Sequence, residues 1–158
     1  MKTKEIICKI DVFEPAELPE DVRLLVEEAR TATERSYAPY SHFCVGAAIR
    51  IDNGEIVVGS NQENVAYPSG TCAERSACFY AHARYPEAKF VEIAIAARGC
   101  DGEFVENPIS PCGACRQALL EYEVLAGRGV TVWLVGRDKV YRLPSVASLL
   151  PLAFTDFD

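Results

Sequence analysis

Residues 90–97 read Phe90-Val91-Glu92-Ile93-Ala94-Ile95-Ala96-Ala97, and only Glu92 interrupts an otherwise apolar run. A run of strand length that shows no polar alternation belongs to a strand covered on both faces. Such a strand needs helices above and below it, so this stretch sets the expectation of a layered α/β fold. On its amino-terminal side, Cys72 to Arg84 reads as a helix stopped near Pro86, entered from a loop over 61–70. Further back, Phe43 to Ile51 is a second buried strand, Asp52-Asn53-Gly54 a turn, and Glu55 to Ser60 the hairpin partner. Glu17 to Arg35 carries Val22, Leu25, Val26 and Ala29 at helical spacing and ends before Ala38-Pro39, where proline disfavours helix.

On the carboxyl side, Gly99 to Pro111 is a loop and Cys112 to Val124 a helix, followed by a Gly-Arg-Gly turn. Val130 to Val135 and Lys139 to Leu143 read as strands, and Ser145 to Leu150 as a last helical turn. The alternation predicts a three-layer α/β/α sandwich with a mixed central sheet of about five strands, one domain spanning 1–158. Residues 1–16 are an N-terminal extension without an assigned role, and no repeat, linker or low-complexity segment is present.

A chain of 158 residues buries roughly 68–70% of its unfolded surface and needs no staples. No apolar run approaches the roughly 20 residues of a membrane span, and the start carries no export signal, so a cytoplasmic protein is expected. The net charge is −7 and the Lys and Arg residues are scattered singly among acids. Nucleic-acid binding rests on cationic side chains neutralising phosphates, so neither a nucleic acid nor a membrane is expected as partner.

Seven cysteines is a high number for such a chain, and an odd count without export points to metal or catalysis rather than disulfides. Cys8, Cys44, Cys78 and Cys100 stand singly in apolar or turn segments and read as bystander thiols. Thr71-Cys72-Ala73-Glu74 and Pro111-Cys112-Gly113-Ala114-Cys115 differ, because each opens a predicted helix. The i, i+3 spacing puts Cys112 and Cys115 on one helical face, and Cys72 adds a third thiolate. Zinc takes four tetrahedral positions, and three protein ligands leave one for water. Three thiolates leave an excess of negative charge on such a site, which helix N-termini offset. Arg75 or Arg116 would offset it further, and Arg75 is the favoured candidate.

Glu74 is a candidate general acid/base beside the metal. Thr71-x-x-Glu74 also fits a helix capping box, and residue types alone do not separate the two roles. Cys-Gly-Ala-Cys likewise fits a thiol-redox motif or a structural zinc site. A closed structural site requires a fourth Cys or His, yet His42 and His82, the two histidines, both read as ordinary surface or core residues.

These segments together resemble the cytidine deaminase family, in its small branch with three cysteine ligands. The resemblance runs through Tyr37-Ala38-Pro39-Tyr40-Ser41, Phe43-x-Val45-Gly46-Ala47-Ala48, Asn61-Gln62-Glu63-Asn64-x-Ala66-Tyr67, Cys72-Ala73-Glu74-Arg75, Ser110 to Gln117, and Leu149 to Phe154. It implies Cys72, Cys112 and Cys115 as ligands of one Zn²⁺ per chain and Glu74 as the proton shuttle. It implies Asn61 and Glu63 on the ribose hydroxyls, with Phe43, Ala73 and Phe154 completing the substrate-binding set. The implied reaction is hydrolytic deamination of cytidine and deoxycytidine to uridine and deoxyuridine with release of ammonia, in pyrimidine salvage. The implied assembly is a homotetramer with shared active sites.

The chain departs from the family pattern in residues 1–16, in a longer loop at 99–107, and in Leu152, which stands where glycine is commoner. A deaminase of a cytosine-nucleoside antibiotic, of the blasticidin type, shares the motifs, although Asn61-x-Glu63 favours plain ribose. A nucleotide substrate is opposed by Glu63 beside the sugar. From another class, a structural zinc or thiol-redox domain without hydrolytic activity carries the same cysteines.

Overall fold

Strands β1 (Asp11–Phe13), β2 (Cys44–Ile51), β3 (Ile56–Ser60), β4 (Phe90–Arg98), β5 (Thr131–Val135) and β6 (Val140–Leu143) form one sheet in the order β1-β6-β5-β4-β2-β3. The computed structural model describes residues 1–99 and 101–156; Cys100, Phe157 and Asp158 lie outside the described residues, and so does the bystander reading of Cys100. Only β4 and β5 run parallel, and every other pair is antiparallel, so the sheet is mixed as expected.

The apolar run at 90–97 is the fourth strand in that order, held between β2 and β5. Its side chains alternate between two cores. Ile93 and Ile95 pack with helices α2 (Ala73–Arg84) and α3 (Gly113–Ala126), while Ala94 and Ala96 face helix α1 (Glu20–Ala32). Cover on both faces is why this strand shows no polar alternation. Glu92 is the exception, and its carboxylate is satisfied internally. Trp133 Nε1 donates to it at 2.7 Å and Arg50 forms an ion pair with it at 3.2 Å.

Small residues set how closely the layers approach. A Cβ on Gly46 of β2 would lie 2.1 Å from the Ala29 carbonyl oxygen of α1. A Cβ on Gly59 of β3 would lie 2.4 Å from the Ala77 backbone nitrogen and 2.7 Å from the Ala73 carbonyl oxygen. Gly59 therefore seats the first turns of α2 directly on the sheet, and with them the helix end that carries Cys72.

The sheet has six strands rather than about five, and the additional one lies in the segment that had no assigned role. β1 pairs antiparallel with β6 through Asp11–Arg142, Val12–Tyr141 and Phe13–Val140. Phe13 rests against Trp133 with ring centroids 5.8 Å apart, and Asp11 pairs with Arg142 at 3.1 Å. Three residues are too few to show a period, so the pairing decides this strand. The long 99–107 loop also folds back on the sheet: Val105 N–H donates to the Ala97 carbonyl and Arg137 N–H to the Val105 carbonyl. The last helical turn is a 3-10 turn, Val146–Leu149.

Candidate metal centre and pocket

α2 and α3 both begin with cysteine at the N-cap, in extended conformation. Neither cap side chain accepts a hydrogen bond from its helix, so the partial positive charge of each first turn is left for the sulfurs. Because the helices lie side by side on one face of the sheet, Cys72 at the start of α2 meets Cys112 and Cys115 at the start of α3. The three Sγ atoms all lie within 4.8 Å of one another, with Cys112 and Cys115 at 3.5 Å. Among the described residues this is the one group of three or more Cys, His, Asp or Glu side chains with metal-binding geometry.

The thiols interact strongly. Cys115 donates a hydrogen bond to Cys72 and Arg75 adds its positive charge, which together hold the Cys72 thiol down to about 5 despite burial. The same bond to Cys72, with burial behind it, raises Cys115. A shared proton of this kind is what a divalent cation displaces, so the donor set fits zinc. Cys78 differs: burial pushes its thiol up to about 12 and it stands outside the cluster. Cys8 is exposed and Cys44 half-buried.

Arg75 Nη2 lies 3.8 Å from Cys72 Sγ, whereas Arg116 is taken up by the Pro111 and Leu149 carbonyls and Ser110 Oγ. Geometry thus separates two arginines that flank the motifs alike. Glu74 occupies the second position of α2 with 4% of its surface exposed, and burial raises its carboxyl above the usual range. The N-cap is Cys72, not Thr71, so the capping-box alternative for Glu74 fails: the frame it requires is shifted by one residue.

Beside Cys72 and Arg75 opens a cavity of about 440 Å³, bordered also by Asn61, Glu63, Tyr40 and Ser41. Glu63 Oε2 accepts the Tyr40 and Ser41 N–H groups at 2.9 and 3.2 Å. Its carboxyl is held below the usual value, chiefly by the Ser41 side chain and the Tyr40 amide. Asn61 accepts from Val45 N–H at 2.8 Å and donates to the Phe43 carbonyl at 2.9 Å. Its amide therefore fastens the entry of β2, a second task that the motif does not display.

Phe43, Ala73 and Phe154 do not border this cavity. Ala73 has no exposed surface, Phe43 is half-buried, and Phe154 is 62% exposed. Tyr40 and Ser41 were legible only as members of a motif, and nothing local gave them a place at the pocket wall.

The fold and this cluster define a class of protein: an α/β/α sandwich with a three-cysteine cluster able to hold a metal ion, a buried carboxylate and an adjoining pocket. Residues 19–127 match the family model described as the cytidine and deoxycytidylate deaminase zinc-binding region. The cytidine deaminase of Sporosarcina psychrophila is 39% identical over 138 residues, covering 87% of this chain and 94% of that protein. That of Halalkalibacterium halodurans is 38% identical over 87% of this chain and 97% of its own. Among solved structures, the cytidine deaminase of Burkholderia pseudomallei superposes with a TM-score of 0.69 at 38% identity, over 83% of this chain and 97% of that one. The Mycobacterium tuberculosis cytidine deaminase gives 0.67 at 33% identity, over 87% and 100%. The chain belongs to the cytidine and deoxycytidylate deaminase family.

Proposed function

We propose that the protein hydrolyses cytidine and deoxycytidine to uridine and deoxyuridine, releasing ammonia, with one zinc held per chain by Cys72, Cys112 and Cys115. The observation that carries this reading is the convergence of three thiols from two helix starts beside a buried carboxylate that does not cap its helix. When bound, zinc supplies the Lewis acidity that makes water a nucleophile at neutral pH. Glu74 moves the protons: it accepts one from the attacking water and passes it to N3 of the ring, then takes the remaining proton of the new C4 hydroxyl and delivers it to the departing amine. Burial suits that task, since a carboxyl raised above its usual range binds and returns a proton more readily near neutrality. Arg75 offsets the negative charge of the thiolates.

Asn61 and Glu63 take the ribose hydroxyls from the cavity wall. Phe154 closes the pocket of a neighbouring subunit in a homotetramer. Large apolar side chains exposed in the α2–α3 layer and its flanks support assembly: Tyr80 at 59%, Val124 at 51%, Tyr67 at 76% and Leu152 at 86%. No described helix is long and apolar enough to cross a membrane, and the proposed setting is pyrimidine salvage in the cytoplasm.

The test is zinc content together with ammonia release from cytidine, deoxycytidine and a cytosine-nucleoside antibiotic. Stoichiometric zinc with turnover of the plain nucleosides is expected. Turnover of the antibiotic alone would move the substrate to the blasticidin type, and zinc without any ammonia would leave a structural site.

A further inference from the structure

α3 opens with two of the three clustered cysteines, and the next side chain, Arg116, reaches away from them. Its Nε donates to the Pro111 carbonyl at 2.8 Å and its Nη2 to Ser110 Oγ at 2.9 Å, fastening the segment just before Cys112. Its Nη1 donates to the Leu149 carbonyl at 2.7 Å, at the end of the 3-10 turn. One residue on, Gln117 Nε2 donates to the Phe154 carbonyl at 2.8 Å. Further along the helix Glu123, 8% exposed, accepts from the Val146 and Ala147 N–H groups at 2.6 and 3.0 Å. The carboxyl-terminal tail is thus hung on α3 at several points, and one of them shares a single guanidinium with the loop that carries Cys112.

We propose that Arg116 is a positioning residue that couples the 110–115 metal loop to the placement of the 150–154 tail. The zinc ligands and the pocket closure by Phe154 are then set together. This rests on the deaminase reading above. The guanidinium is a rigid planar fork, so its contacts to loop and tail cannot relax independently, whereas a lysine offers one flexible point charge that can hold only one side. Losing the fork leaves the Pro111 or the Leu149 carbonyl without its donor and lets loop and tail drift apart. An ångström of drift at a reacting site costs up to about 100-fold in rate.

The experiment compares zinc-loaded wild type, Arg116→Lys, Phe154→Ala and the double variant. It measures KM and kcat on cytidine, and the rate of zinc transfer to a chromogenic chelator. Arg116→Lys is expected to raise KM by about tenfold, more than it lowers kcat, and to release zinc about tenfold faster. Phe154→Ala is expected to raise KM with zinc release unchanged. The double variant should have a KM close to that of Phe154→Ala, because the ring that the tail would place is already gone. KM losses that multiply in the double variant, or wild-type zinc release from Arg116→Lys, overturn the proposal. Should Arg116→Lys fail to fold, Ser110→Ala removes one arm on the loop side. It should speed zinc release and raise KM together, and movement of neither, or of only one, overturns the coupling. A wild type that holds zinc but releases no ammonia overturns the deaminase reading instead, and the zinc-release comparison still decides the loop half of the proposal.

Discussion

Glu74 stands one residue inside α2 with almost no exposed surface, and nothing in the helix end requires it. A carboxyl this buried, held by its own backbone N–H and the Cys115 thiol, stays costly to ionise, which suits a group that takes up and returns a proton. Glu74→Gln keeps the shape and removes the titration. Zinc content and melting temperature should change little, while turnover of cytidine falls by at least about 10²-fold. Metal analysis and calorimetry beside steady-state kinetics check this, and unchanged turnover per folded molecule would reject the proton-shuttle role. Asn61 gives the contrasting lesson. Its side chain serves the Val45 and Phe43 backbone, so an alanine there disturbs the entry of β2 as well as any sugar contact.

At the scale of the element, α2 delivers Cys72 and Glu74 because Gly59 lets its first turns touch the sheet. The atoms that a Cβ at residue 59 would meet are backbone atoms, at 2.4 and 2.7 Å, and backbone cannot swing aside. Gly59→Ala must therefore lift the start of α2, and overpacking of this kind costs about 1–3 kcal/mol. The variant is expected to fold with a lowered Tm and to lose zinc affinity more than its stability loss explains, because the displaced end carries Cys72, a proposed ligand. Chelator titration and thermal melts on the same preparation test it; a lowered Tm with wild-type zinc affinity would show that the first turn tolerates the shift. β1 behaves differently. It lies at the far edge of the sheet from β3, and Phe13 rests against Trp133. Deleting residues 1–13 should cost about 1–2 kcal/mol of apolar burial. Zinc content and turnover should remain, and loss of zinc in a folded truncated protein would mean that the strand supports the site.

Over the whole molecule, the pocket of one chain is open where a nucleoside would need water excluded. Phe154 lies 62% exposed at a tail tied to α3. If assembly brings that ring to a neighbour's pocket, Glu74→Ala and Phe154→Ala damage different chains of the same site. Each alone should be weak, and co-refolded mixtures should regain activity beyond the sum of the two preparations. Mixed oligomers demonstrated by mass, with no regain, would assign the phenylalanine to its own chain.

Much of this protein was written in local pattern. The apolar run at 90–97, the hairpin turn at 52–54 and the helical spacing in 22–29 each depend on neighbours in sequence, so each was legible before any coordinates. The three clustered cysteines were legible as candidates for the same reason, since their two motifs open helices and carry their chemistry in residue type. Tertiary structure decided the rest. β1 exists only because β6 pairs with it, and a three-residue strand has no period of its own. Arg75 and Arg116 flank the motifs alike, and only the packing of α3 against the 3-10 turn sends Arg116 to the Leu149 carbonyl. The frame of the α2 cap lies one residue away from a capping box, which the residue pattern alone did not display. The three sulfurs come together because α2 and α3 lie side by side on the same face of the sheet, and a contact between segments that β4 separates in sequence depends on long-range packing that no local propensity encodes.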